Sequence, residues 1–181
     1  MQNALIWLFK SLADLYLLTF LMRFIMQWVR ASYMNPLAQF IFKVTNPLVV
    51  PARRVLPSVG GLDAPTLVVL IVLELILTFV LLVVMGVSPP VPVLLLYSVL
   101  RLVALVLWFY FGATLVYALL SWLGDRGANP LGVFLGELVE PLLRPARRLI
   151  PPIGGFDISP LIVLLLLQAA TIALPLPPYL R

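Results

Sequence analysis

The 181-residue chain contains no cysteine and no histidine, and only 10% of its residues are charged. Without cysteine there is no disulfide and no thiolate nucleophile. Without either residue, Cys/His zinc sites, histidine-based triads and haem ligation through His or Cys are excluded. The shortage of charge excludes a soluble single domain, which would need about 25% charged residues to coat its surface. No catalytic residue, cofactor or metal is expected.

What replaces the missing polarity is hydrocarbon. The composition is 63% hydrophobic and the mean hydropathy is +1.14. Several apolar runs approach or exceed the ~20 residues a helix needs to cross about 30 Å of lipid. The reading is an all-α membrane protein with four transmembrane helices, over 4–29, 66–87, 93–122 and 161–174. Trp7 and Trp28 lie near the two ends of the first run, roughly 31 Å apart along a helix, which suits two interfacial belts. A cleaved signal peptide fits poorly, since Met1-Gln2-Asn3-Ala4 has no basic region and no small-residue cleavage site follows.

The net charge of +5 and the isoelectric point near 10.0 do not point to nucleic acid in so apolar a chain. Basic residues here mark cytoplasmic loops and anionic headgroups. Arg30, Lys43, Arg53 and Arg54 fall between spans one and two; Arg126, Arg144, Arg147 and Arg148 fall between three and four. The positive-inside rule therefore predicts an inner-membrane protein with cytoplasmic long loops and both termini outside.

The chain also repeats. Asn35-Pro36-Leu37 recurs at Asn129-Pro130-Leu131, a displacement of 94 positions. The same displacement carries Trp28 onto Trp122 and Pro51-Ala52-Arg53-Arg54 onto Pro145-Ala146-Arg147-Arg148. It also carries Gly60-Gly61 onto Gly154-Gly155 and Asp63 onto Asp157. Matched Pro, Arg, Gly and Asp are not low complexity. Two tandem hairpin repeats are expected, 1–88 and 89–181, with the same topology and a pseudo-twofold along the membrane normal.

Within each repeat the segment between spans (35–62 and 129–158) is itself patterned. Leu37, Phe40, Ile41, Val44 and Leu48 recur at helical spacing, as do Leu131, Phe134, Leu135, Leu138 and Leu142. Asn caps a helix and Pro suits its first turn, so each segment is predicted to hold an amphipathic interfacial helix, flat or re-entrant. The prolines around Arg53-Arg54 and Arg147-Arg148 are expected to hold those pairs in extended chain. The glycine pairs supply positive φ or close backbone approach. Asp63 and Asp157 precede the next span, where each can cap its helix; Asp63 can alternatively pair with Arg53 or Arg54 of its own repeat. The arginine pairs are candidates for binding anionic lipid headgroups or a partner protein, because a guanidinium fork holds phosphate or carboxylate at two points.

The repeated P-A-R-R-h-h-P-x-h-G-G-h-D, where h is apolar, followed by Pro and a span, resembles the YggT family of membrane proteins, in its two-repeat bacterial form. The likeness covers nearly the whole chain; Asp63-Ala64-Pro65 departs from the more family-like Asp157-Ile158-Ser159-Pro160. The resemblance implies links to osmotic-stress tolerance or cell division in bacteria, and to cytochrome complex maturation and nucleoid organisation in chloroplasts. It implies no enzymatic residue set.

Charges at membrane depth cost about 2.5–3.5 kcal/mol each and are functional candidates by default. They are Asp14, Arg23, Glu74 and Arg101, with neutral Gln168. Matching depths along the helices predicts Arg23 with Glu74 inside the first hairpin; Asp14, deeper, and Arg101, near the outer interface where it aligns with Trp7, are expected to pair between the halves. Such pairs serve to fix helix register or to form a polar track, and Arg101 could instead snorkel. Met22 and Met26 read as packing rather than copper ligands, and Gly112-Ala113 as a possible close helix contact. The expected function is a non-enzymatic scaffold or assembly factor acting through the cytoplasmic face, with an unidentified membrane-protein partner and scope for homo-oligomers. The alternative is a transporter or channel for ions or small solutes.

Overall fold

In a computed structural model the chain is all helical, and residues 2–58, 61–123, 129–149, 157–178 and 180 are described. The helices are α1 (Gln2–Val29), α2 (Pro36–Val55), α3 (Ala64–Val84), α4 (Val91–Trp122), α5 (Pro130–Leu149) and α6 (Ser159–Ala173). Three of them, α1 from Ala4 onward, α3 and α4, are long and apolar enough to cross a membrane. Helix α4, at 32 residues, is the longest. Helix α6 is apolar but has only 15 residues, roughly 22 Å, short of a full crossing by itself. Large apolar side chains stand exposed along α1, α3, α4 and α6, including Trp7, Trp28, Trp108 and Trp122. Such a surface is stable against acyl chains rather than water.

Helix ends follow local chemistry. Asn35 accepts a hydrogen bond from the Leu37 amide at 2.9 Å, and Asn129 does the same for Leu131 at 2.9 Å. Each is followed by a proline whose missing N–H costs nothing in a first turn. Helices α1 and α3 both end in Schellman-type bonds, Ala31 to Met26 and Val87 to Leu82. The left-handed residue is Gly86 (φ 75°) after α3 but Arg30 (φ 56°) after α1. There a cation at the helix C-terminus offsets part of the backbone cost.

Helices α2 and α5 pack under the long ones: α2 against α1, α3 and α5, and α5 against α4, α6, α1 and α2. Helix α2 buries Ala38, Ile41, Thr45 and Val49; α5 buries Phe134, Leu135, Leu138, Val139 and Leu143. Phe40 and Leu48, expected on the apolar face of α2, are exposed, so α2 shows apolar groups both to the core and outward. The extended arginine bracket is corrected. Arg53-Arg54 and Arg147-Arg148 occupy the last turns of α2 and α5, with Pro47, Pro51, Pro141 and Pro145 inside the helices. The prolines lie four apart on exposed stripes, where carbonyls robbed of their i+4 partners remain near the surface while the buried stripe holds the helix.

Met26 belongs to the core, with Met22 packed against it. No close contact forms at Gly112, where an added Cβ would meet nothing within 4 Å. The close approach is at Gly136, whose Cβ would lie 3.1 Å from the Tyr117 ring, so α5 sits tightly on α4 there.

Candidate functional site

The charged residues gather in three clusters, two at the α2/α5 end and one deeper among the long helices. The first joins α1, α2 and the start of α3. Arg53 donates to Asp63 Oδ2 at 2.9 Å, and the Thr66 hydroxyl donates to the same oxygen at 2.6 Å. Arg23 approaches that oxygen at 3.7 Å, an ion-pair distance too long for a hydrogen bond. Its Nη1 instead donates to Thr45 Oγ1 at 2.7 Å and Asn46 Oδ1 at 2.9 Å, and its guanidinium lies 4.7 Å from the Phe42 ring centre. Arg23 and Asp63 are both 1% exposed. Asp63 therefore pairs with arginine and makes no side-chain cap to α3.

The second cluster joins α4, α5 and the start of α6. Arg147 donates from Nε to Asp157 Oδ2 at 2.8 Å and from Nη1 to Glu140 Oε2 at 2.7 Å. Asp157 also accepts from the Ser159 amide at 3.0 Å, so this aspartate both pairs and caps. Burial pushes the Asp157 carboxyl up, but hydrogen bonds from Arg147 and Ser159 reverse that and hold it below its ordinary value. Burial likewise works against the Arg147 cation, yet bonds to Asp157, Tyr117 and Glu140 leave it more strongly protonated than usual. Arg54 and Arg148, the second arginines of the two pairs, are exposed. Gly60, Gly154 and Gly155 lie outside the described residues, and Gly61 has a positive φ of 83°.

The third cluster joins α1, α3, α4 and the C-terminal segment. Arg101 meets Asp14 at 2.7 Å, as expected from the sequence. It also meets Glu74, at 2.6 Å, and donates to the Leu180 carbonyl at 3.0 Å. The expected Arg23–Glu74 pair does not form: the two belong to different clusters. Matching depth along two helices leaves the direction around each axis open, and Arg23 faces α2 while Glu74 faces α4. Arg101 is 5% exposed, buried in pairs rather than snorkelling. Lys10 completes the group by pairing with Asp14 at 2.8 Å. Its i, i+4 spacing to Asp14 was the available signal.

Two contacts tie the halves of the chain together at the α2/α5 end. Asn35 Nδ2 donates to the Pro130 carbonyl at 2.8 Å, and the Ser32 amide donates to Glu137 at 2.9 Å. Sequence reasoning gave Asn35 only its capping role. Among the described residues no group of three or more His, Cys, Asp or Glu is placed to hold a metal ion.

The chain matches the CCB3/YggT family over residues 2–84 and 96–177. An uncharacterized protein of Pseudomonas aeruginosa is 39% identical over 170 residues, covering 93% of this chain and 86% of its own length. The uncharacterized protein YggT of Escherichia coli is 39% identical over 166 residues, covering 92% of this chain and 86% of its own. An uncharacterized Vibrio alginolyticus protein is 36% identical over 172 residues, covering 93% and 92%. No solved structure matches. Two separate stretches of family likeness, spanning nearly all of the six helices, place the chain in the CCB3/YggT family.

Proposed function

We propose that the chain is a non-enzymatic, multi-pass inner-membrane scaffold that recruits or helps assemble a membrane-protein partner. In this reading it crosses four times as two tandem hairpin repeats with both termini outside, and α6 completes its crossing with its flanking segments. The α2/α5 end is the cytoplasmic working face. One observation carries the reading. In each Arg-Arg pair the first arginine is clasped by an aspartate ten residues on, and the second is left exposed at a helix C-terminus. The clasp works as a mount, so that Arg54 and Arg148 are presented on packed helices to phosphate or carboxylate. A non-enzymatic role is supported by how the described carboxylates are engaged: Asp14, Asp63, Glu74, Glu140 and Asp157 each face an arginine or lysine, and Glu137 accepts from the Ser32 amide.

Photocrosslinkers placed beside Arg54 and Arg148 in native membranes should trap one reproducible protein. Reversal of both (R54E with R148E) should abolish that product while insertion and Tm stay unchanged. Crosslinks to lipid alone, or a protein product indifferent to the reversal, would overturn the reading.

A further inference from the structure

A cavity of about 240 Å³ opens beside the deep charge cluster, walled by Lys10, Asp14, Glu74 and Arg101 and by apolar Leu105 and Trp108. The scaffold reading does not use it. The four charges form an alternating chain: Lys10 to Asp14 at 2.8 Å, Asp14 to Arg101 at 2.7 Å, Arg101 to Glu74 at 2.6 Å. Two cations and two carboxylates cancel, so a ligand bearing net charge would unbalance the site. The two ends of the chain of charges are not used up. Lys10 spends one donor on Asp14 and none on any other described residue. Glu74 is 1% exposed, and its Oε1 takes both of its bonds, from Arg101 and from the Thr78 hydroxyl at 2.9 Å. Its other oxygen accepts nothing from the described residues. A carboxylate oxygen that opens onto a cavity wall with no donor from the described residues offers a place for a ligand's donor.

We propose that this cavity binds a small zwitterion that carries an ammonium group together with a carboxylate or phosphate. The ammonium lies against Glu74, the anionic group against Lys10, and the ligand closes the alternating chain into a ring. The apolar wall accommodates the carbon skeleton, as small-molecule sites generally do. The same chemistry exists in a free amino-acid-like solute and in an ethanolamine phospholipid headgroup.

Full-length protein in detergent tests both sources. Native mass spectrometry compares phosphatidylethanolamine with phosphatidylglycerol, which lacks the ammonium. Equilibrium dialysis compares glycine with acetate. At least one zwitterion should bind tenfold or more tightly than its control, and the arm in which it does identifies the source. Ala104→Leu, which fills the cavity without touching a charge, should remove the preference, and Glu74→Gln should weaken binding about tenfold. Lys10→Gln guards against a folding failure, because that side chain is 18% exposed and the Arg101 contacts survive it; it too should weaken binding about tenfold at unchanged Tm. Absence of preference in both arms, or a preference intact in A104L and K10Q, would overturn the proposal.

Discussion

The two arginine–aspartate clasps make the same contact with opposite surroundings. Around Asp63 stand two arginines, Arg23 and Arg53; around Arg147 stand two carboxylates, Glu140 and Asp157. The inversion comes from two positions. Counting 94 residues on, Arg23 becomes Tyr117 and Asn46 becomes Glu140, so one copy loses a cation where it gains an anion. Tyr117 still bonds to the clasp arginine. The shared element is thus the tie from the end of an amphipathic helix to the start of the next apolar one, and the charge around it varies while each buried ion keeps an opposite neighbour. The burial differs as well: the Asp63 side chain is 0% exposed and that of Asp157 11%.

That difference sets the order of the expected effects. Asp63→Asn strands Arg23 in the interior with no other carboxylate within ion-pair distance among the described residues, and should cost about 3–5 kcal/mol. Thermal or urea unfolding in micelles measures it. Should D63N prove milder than D157N, burial does not govern the two clasps and the comparison breaks.

Asp157→Asn leaves Arg147 with Glu140 and should cost roughly 1.5–3 kcal/mol at neutral pH. This clasp also carries a pH signature. Because the folded Asp157 carboxyl lies below its unfolded value, its stabilisation is complete above the unfolded range of about 4 and is lost as pH falls through the folded value. The Tm difference between the parent protein and D157N should therefore stay constant from about pH 7 to 5 and shrink below about 4. A gap that widens on acidification would mean the shift has the other sign.

Glu140→Asn puts at 140 the residue found 94 positions earlier, at 46. The Glu140 side chain is 37% exposed, so solvent screens its pair with Arg147 and the loss should be about 0.5–1 kcal/mol. A loss as large as that of D157N would show that the second carboxylate, not the clasp, holds the second copy together.

Much of this was readable from local pattern. The apolar runs gave the long helices to within a few residues, and Asn-Pro gave the starts of α2 and α5. The Asp14–Arg101 pair was legible as a contact of opposite charges between the halves. The partner of Glu74 was not, because depth says nothing of azimuth, and four residues of one helix look in four directions. By local pattern Pro51 and Pro145 signal extended chain, because a lone chain has no buried stripe to hold a helix past them. In the folded protein Val49 and Leu143, packed in the core, supply that hold.

What sequence alone determined, then, are the quantities that vary along one dimension: hydropathy, caps, the 94-residue echo and family membership. Tertiary structure decided the rest, namely which aspartate each arginine takes, which arginine of each pair the aspartate holds, and that Lys10, Asp14, Arg101 and Glu74 line one cavity. Those outcomes depend on how helices are rotated and stacked. Coulomb and hydrogen-bond energies act over a few ångströms between residues as far apart in sequence as 14 and 101.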